Sequence, residues 1–286
     1  MAEDKNETHY FLDGNPEELE RLQLGQSVIK ACMRKLVFAP VDLDKPGLQI
    51  LDSATADSVW LRDVRNSIAL STREKDMFVG TDITNTYFPR PPPEGITLLT
   101  QSMTQPWPQE WASRFDLVHQ RMALPAASKT VVLDALRAFV DLVKPGGWIQ
   151  LVEPDHSIAL GPAMADFFRL LSDVFKFMGT GPDYAPQLKK WLTDLGVEDV
   201  KEEIFDVPIG KTSPSDELCA QSARMIELVI KGLTQVAGSI HTSFSAEELH
   251  QLGPRIQEEV LEKGGVFRLH CVWGRRSLSE PRPAGY

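Results

Sequence analysis

The stretch that most constrains this chain is ILDSATADSVW at residues 50–60. Apolar Leu48, Ile50 and Leu51 read as a short strand that ends in an acid, Asp52. Small residues follow (Ser53, Ala54, Thr55, Ala56, Asp57, Ser58), and apolar spacing resumes at Val59, Trp60, Leu61 and Val64. This is a strand, a tight loop and a helix, which aims backbone N–H groups and a helix dipole at whatever lies over the strand's carboxyl end. Farther on, MFVGTD closes a second strand with Asp82, placed to accept hydrogen bonds from the two hydroxyls of a ribose. Together the two features predict a ligand that contains a nucleoside.

The rest of the chain repeats the alternation. Strands are expected at 96–100 and 115–121, and a helix of 3.6 period runs through Val132, Leu136, Phe139, Val140 and Val143. That helix is expected to stop at Lys144-Pro145-Gly146-Gly147, with a fifth strand at 148–152 and a loop from Glu153 to His156. Asn15-Pro16-Glu17-Glu18 predicts a helix start, and apolar positions up to Leu36 predict one or two helices before the first strand. Met164, Phe167, Phe168, Leu171, Val174, Phe175 and Met178 form a bulky helical stripe; a second helix ends at Gly196. A strand at 200–209, a helix through Met225 and Leu233, and a capping box at Ser245-Ala246-Glu247-Glu248 come next. Gly253-Pro254 is expected to interrupt the helix that this box opens. Gly264-Gly265 then turns into a last strand with Phe267, Leu269, Cys271 and Trp273 on one face.

LDSATADS aligns without a gap with the first motif of the class I S-adenosylmethionine (SAM) dependent methyltransferases, V-L-D-x-G-x-G-x-G, with Ala54, Ala56 and Ser58 in place of the glycines. A glycine-free loop either keeps φ negative or strains each left-handed residue by roughly 1–2 kcal/mol. LVKPGGWIQLVEPD at 142–155 resembles the turn and strand that recur in the same fold. FDLVHQR at 115–121 and the run Tyr10, Glu18, Arg21-Leu22, Gln26 are similar to a fungal subgroup: small-molecule methyltransferases of secondary metabolism, with LaeA-type and gliotoxin N-methyltransferase-type proteins.

The resemblance implies an α/β fold: a doubly wound, Rossmann-like sheet of seven mostly parallel strands with an antiparallel edge strand and a helical lid insertion. It divides the chain into a tail with helices at 1–40, a methyltransferase-like domain at 41–275 with the insertion at about 157–196, and a tail at 276–286. It implies SAM as cofactor, held by Asp52, Ser53, Ala54, Thr55, Ala56, Trp60, Asp82, Ser102, Met103 and His119. Ser102 stands where the family carries an acid for the adenine amine, and Met103 keeps the apolar contact. Trp107 is a further candidate for the adenine or sulfonium site. His119 is the expected base, Arg121 a partner for a carboxylate of SAM or substrate (or for Asp116 or Glu153), and His156 a lesser catalytic candidate. The amphipathic helix before the first strand reads equally as packing on the sheet.

Methyl transfer needs placement more than side-chain chemistry, so the lack of a nucleophile triad or paired carboxylates is consistent with it. The expected acceptor is a bulky, largely apolar small molecule methylated on O or N. The alternatives are the same fold used as a SAM-independent cyclase or pericyclase, or as a LaeA-like regulatory partner. No G-x-G-x-x-G and no tyrosine with lysine four residues on support a nicotinamide oxidoreductase, and no G-x-S-x-G supports a hydrolase. A net charge of −10 argues against a nucleic-acid surface, and no apolar run is long enough for a membrane span. Three scattered cysteines and an acidic, polar N-terminus suit the cytosol and give no zinc spacing.

Overall fold

The computed structural model describes residues 12–158, 161–181 and 184–278. The expected tail over residues 1–11, Tyr10 included, and the end at 279–286 lie outside the described residues. Seven strands form one sheet: β1 (Gln49–Ser53), β2 (Met77–Asp82), β3 (Ile96–Thr100), β4 (Phe115–Arg121), β5 (Val143–Asp155), β6 (Glu198–Ile209) and β7 (Gly265–Arg275). Their order is β3-β2-β1-β4-β5-β7-β6. β1 to β5 are parallel, and β7 runs antiparallel between β5 and the outermost strand, β6. The strand order therefore reverses between β1 and β4, where the carboxyl ends of the parallel strands open a crevice.

Eight α-helices accompany the sheet among the described residues: α1 (Glu18–Met33), α2 (Val59–Ser67), α3 (Leu70–Arg73), α4 (Val132–Leu142), α5 (Pro162–Phe177), α6 (Leu188–Asp194), α7 (Asp216–Ala237) and α8 (Ala246–Glu262). The strands of the central sheet alternate their apolar residues between two cores, as a period of two requires. Ile50, Phe78 and Leu117 face α2 with Trp60, Leu61 and Val64. Leu51, Val79, Val118 and Leu151 face α4 with Leu136 and Phe139.

The two helices of the expected insertion go to different places. Leu188 and Leu192 of α6 join the α4 side of the sheet. The α5 stripe packs instead against α7 and α8, through Phe167, Leu171, Met225, Ile230, Leu252 and Ile256. Ser245 opens α8 with the expected box: its hydroxyl accepts the Glu248 N–H, and the Glu248 carboxylate accepts the Ser245 N–H at 2.7 Å.

Three boundaries differ from the sequence reading. α8 continues through Pro254, because Leu252, Ile256 and Val260 are fully buried against α5 and α7 and that packing outweighs the one helix hydrogen bond a proline removes. β5 continues through Glu153, Pro154 and Asp155, which pair with His270, Leu269 and Arg268 of β7, so the antiparallel neighbour extends it past the end of β4. Val143, expected in the last turn of α4, instead opens β5 and pairs with Phe115 of β4. The single helix before β1 is within the expected one or two, and Asn15 accepts the Glu17 N–H at 2.9 Å in a turn ahead of it.

Glu259 of α8 holds the start of α5 in place. Its carboxylate accepts the N–H groups of Met164 (2.9 Å) and Ala163 (3.2 Å), two donors that a helix start leaves without intrahelical partners. A Cβ on Gly161 would stand 2.3 Å from this carboxyl group, so only glycine fits there. Replacing Glu259 by Ala should therefore cost about 1–2 kcal/mol of stability in a denaturant titration, and Gly161→Ala should also destabilise.

Candidate active site

Asp52 ends β1 with both carboxylate oxygens engaged. Oδ1 lies 2.7 Å from His119 Nδ1 on β4, and Oδ2 accepts the Thr55 hydroxyl at 2.7 Å. The Trp60 indole of α2 lies flat on the His119 ring, with centroids 3.6 Å apart and an interplanar angle of 3°. Burial pushes the His119 imidazole below its ordinary value of 6.5, against the pull of Asp52, so the ring is neutral at pH 7. With Nδ1–H donated to Asp52, Nε2 is an acceptor. It is buried and has no hydrogen-bond partner among the described residues.

The loop between β1 and α2 adopts left-handed backbone at each position where the family motif carries glycine: φ is +56° at Ala54, +47° at Ala56 and +62° at Ser58. The chain thus keeps the loop's shape and accepts the strain. Its N–H groups do not all point outward, as the sequence reading expected. Thr55 donates to Thr81 O, Ala56 to Asp82 Oδ2 (2.9 Å), Ser58 to Thr55 O and Val59 to Asp57 Oδ1. Asp57, one residue before the N-cap of α2, accepts the Val59 N–H and faces Arg62 at 3.3 Å. Gly80 is required beneath this loop, because a Cβ there would meet the Thr55 side chain at 2.8 Å.

Asp82, at the end of β2, accepts Ala56 N–H on Oδ2 and Thr84 N–H on Oδ1, and burial pushes its carboxyl above the usual range. Each oxygen keeps a lone pair for a further donor. Ser102 and Met103 follow β3; the Ser102 hydroxyl is 3.0 Å from that of Thr104. Trp107, expected near the ligand, instead packs against Trp111 and Phe139 beside the α4 core.

These groups line one cavity of about 300 Å³ over the carboxyl ends of β1, β2 and β4. Asp52, Ser53, Ala54, Thr55, Ala56 and Trp60 form its floor, with Asp82, Ser102 and Met103 at one side and His119, Arg121 and His156 at the other. Of the residues expected to form the site, all but Trp107 are therefore brought together. The opposite wall comes from the helical layer: Phe167, Leu171 and Phe175 of α5, and Met225, Ile226 and Val229 of α7. The wall is apolar, and His156 sits against the rings of Phe168 and Phe175.

Arg121 pairs with neither Asp116 nor Glu153. Asp116 holds Lys144 at 2.7 Å, and Glu153 accepts two backbone N–H groups. Burial lowers the Arg121 pKa against the attraction of Asp52, Asp57 and Asp63, and its guanidinium borders the cavity without an ion pair within 4.0 Å among the described residues. Two residues absent from the expected site join it from α1: Arg21, bonded to the buried Glu18 at 2.6 and 2.7 Å, and Gln26, whose Nε2 donates to Asp63 while Oε1 is buried without a partner. Their signal was the Glu18, Arg21, Gln26 spacing. The apolar side of the same helix, Val28, Ile29 and Met33, packs on the sheet.

No protein-family model matches the chain. Among curated proteins it is 34% identical over 281 residues to N-methyltransferase sirN of Leptosphaeria maculans, covering 96% of this chain and 97% of that one. It is 36% identical over 267 residues to methyltransferase psoC of Aspergillus fumigatus, with 92% and 96% covered, and 31% identical over 281 residues to N-methyltransferase gliN of the same fungus, with 95% and 98% covered. The chain belongs to this family of fungal methyltransferases. It is a SAM-dependent enzyme. Among solved structures, phosphoethanolamine N-methyltransferase 2 of Haemonchus contortus bound to S-adenosylhomocysteine superimposes with a TM-score of 0.56 at 11% identity. That match covers 95% of this chain and 60% of the longer worm enzyme, and it shows the shared class I fold.

The methyltransferase loop gives two testable outcomes. Ala54→Gly and Ala56→Gly should each stabilise the protein by about 1 kcal/mol in a denaturant titration, because glycine removes the left-handed strain. His119 binds a proton more weakly in the folded chain than in the unfolded one. Its contribution to stability is therefore complete above pH 6.5 and is lost as pH falls below that value towards the folded pKa. Unfolding titrations across that window should show this acid-side loss in the native chain and not in His119→Asn.

Proposed function

We propose that this methyltransferase transfers the methyl group of SAM to a nitrogen of a bulky, largely apolar small molecule of secondary metabolism. The observation that carries the reading is the joining of the Asp52–His119–Trp60 cluster and an apolar helical wall in one cavity. The names of the relatives favour nitrogen over oxygen. They also favour methyl transfer over the cyclase and regulatory readings.

Residues present fit the cofactor. Asp82 would accept the ribose hydroxyls, Ser102 and Met103 would meet the adenine, and the loop 53–56 would pass beneath. Arg121, with no ion pair of its own, supports the methionine carboxylate, helped by Arg21; the unpartnered Gln26 Oε1 suits the ammonium. Bound SAM supplies a sulfonium-activated methyl carbon. The chain's part is to hold the acceptor nitrogen in line with it and to take up the proton that nitrogen gives up. His119 Nε2 is the proposed proton acceptor, with Asp52 fixing the tautomer and stabilising the imidazolium that forms. The α5 and α7 side chains exclude water and grip the apolar body of the acceptor, and His156 is placed at the mouth.

Calorimetric titration with S-adenosylhomocysteine tests the site. Wild type should bind in the micromolar range, Asp82→Ala about tenfold or more weakly, because a carboxylate that accepts hydroxyl donors is lost. His119→Gln should bind within a few-fold of wild type. In a screen of neutral N–H heterocycles and amides for SAM-dependent product, wild type should show turnover and His119→Gln should lose at least about a hundredfold. A folded wild-type protein that binds no S-adenosylhomocysteine at millimolar concentration would sink the proposal.

A further inference from the structure

One carboxyl group near the cavity has no part in the site as described. Glu153 of β5 is fully buried, and its Oε1 accepts the N–H groups of Ala123 and Leu124, both at 3.1 Å. Its Oε2 is buried without a hydrogen-bond partner among the described residues. On the adjacent strand Gln120 is fully buried too, and neither atom of its amide completes a hydrogen bond among the described residues. Gln120 stands opposite Leu151, two residues before Glu153, so both side chains leave the same face of the sheet. This is the face opposite to His119. Each unsatisfied polar atom in such a place is costly, and here an orphan carboxyl oxygen and an orphan amide are neighbours.

The segment that Glu153 holds is the wall of the cavity after β4. Met122, Ala123, Pro125 and Ala126 line it. It begins with a non-glycine residue in left-handed backbone, Met122 at φ +55°, whose N–H donates to Val152 O at 2.9 Å. A strained turn of this kind persists only where its surroundings fix it. The fixing groups are the Glu153 carboxyl and the β5 backbone.

We infer that Glu153 is a positioning residue for methyl transfer that works as a neutral carboxylic acid: Oε1 accepts the Ala123 and Leu124 N–H groups, and the Oε2 hydroxyl donates to the Gln120 amide oxygen. This rests on the reading of the cavity as the site of cofactor and acceptor. Geometry supplies the acceptor and donor count, and burial supports the protonation, pushing this carboxyl up to about 7 against the pull of the Leu124 N–H, the neighbouring Gln120 side chain and the Ala123 and Met122 N–H groups. The titratable neighbours on the same face are Asp155 and, from β7, His270, which lies 3.4 Å from Asp155 and 2.7 Å from Glu202. From the turn before α6, the Tyr184 hydroxyl donates to Ala127 O. No lysine or arginine forms an ion pair with Glu153 among the described residues. Loss of the proton would leave a charge with no counter-ion under the wall and loosen residues 122–126.

The experiment is calorimetric titration of the full chain with S-adenosylhomocysteine from pH 6 to 8.5, with amide hydrogen exchange of the segment 120–127 corrected for intrinsic rates. Wild type should lose affinity as pH rises through about 7, by about tenfold at the alkaline end, since only molecules with the wall in place bind. Exchange over 120–127 should rise over the same range. Glu153→Gln keeps an acceptor oxygen and a permanent donor, so it should hold the acid-side affinity and protection at every pH. Glu153→Ala should bind weakly throughout. A Glu153→Gln variant that follows the wild-type pH curve would overturn the inference, and so would wild-type affinity and exchange that do not change with pH. Wild-type binding at pH 6 tests the cofactor site itself, so its absence would count against that reading and not against Glu153.

Discussion

The site depends on one buried carboxylate. Asp52 is 3% exposed and lies where β1, the loop after it and β4 meet. An ionised group so far from water is tolerable only when its lone pairs are met, and here the Thr55 hydroxyl and the His119 ring meet them. Those two bonds fix the loop on one side and the imidazole on the other. Trp60 then closes over the ring, so α2 is tied to β4 through an aromatic contact as well as through the sheet. Removing any one of these partners would leave a buried charge or a buried ring nitrogen exposed to nothing that can satisfy it.

Around this fixed centre the remaining walls are built from separate parts. β2 and β3 supply Asp82, Ser102 and Met103 by topology alone, because parallel strands end on the same edge of the sheet. The apolar wall comes from α5 and α7, which share a core with α8 and little with the central strands. A layer that packs on its own core can change its side chains without disturbing Asp52. α1 joins the two parts: Lys30 and Gln26 bond Asp63 of α2, and Glu20 bonds Arg224 of α7. The surface pair with Arg224 is exposed and adds little stability; Gln26 is buried and also faces the cavity.

What was legible in the sequence follows the same division. Strand ends carrying Asp52, Asp82 and His119 were readable, because an apolar run closed by a polar residue fixes both the element and the edge on which that residue sits. The capping box at Ser245 and Glu248 was readable for a similar reason, being a local pattern with a local cause. Misreadings came where packing decided. Pro254 signals a break, yet the buried flanks of α8 carry the helix past it. Trp107 lies only a few residues beyond Met103 in sequence, but the chain turns after Thr104 and sends it into the α4 side with Trp111. The two helices after β5 look alike in period, and nothing local tells that α6 serves the sheet while α5 serves the cavity. The Glu18, Arg21, Gln26 spacing was visible as a pattern and only the structure shows which of its residues face inward.

The glycine-free loop shows how a strained motif is held. Left-handed alanine persists because neighbouring groups prefer the loop in that shape: Asp82 receives Ala56 N–H, Thr81 O receives Thr55 N–H, and Asp52 holds the Thr55 hydroxyl. Each of these bonds would be lost if Ala54 or Ala56 relaxed to negative φ, and two of them end on carboxylates that have few other partners. The strain is therefore offset inside the site, by the same acids proposed to meet the ligand. SAM has no phosphate, so it does not need a cradle of free N–H groups as a dinucleotide does. A loop that spends its N–H groups on Asp82 and Thr81 loses nothing for such a ligand, and it fixes the orientation of Asp82, the proposed ribose acceptor. The cost is a Cβ at Ala54 and Ala56 beneath the proposed cofactor position. The smallest side chains are what the chain places there.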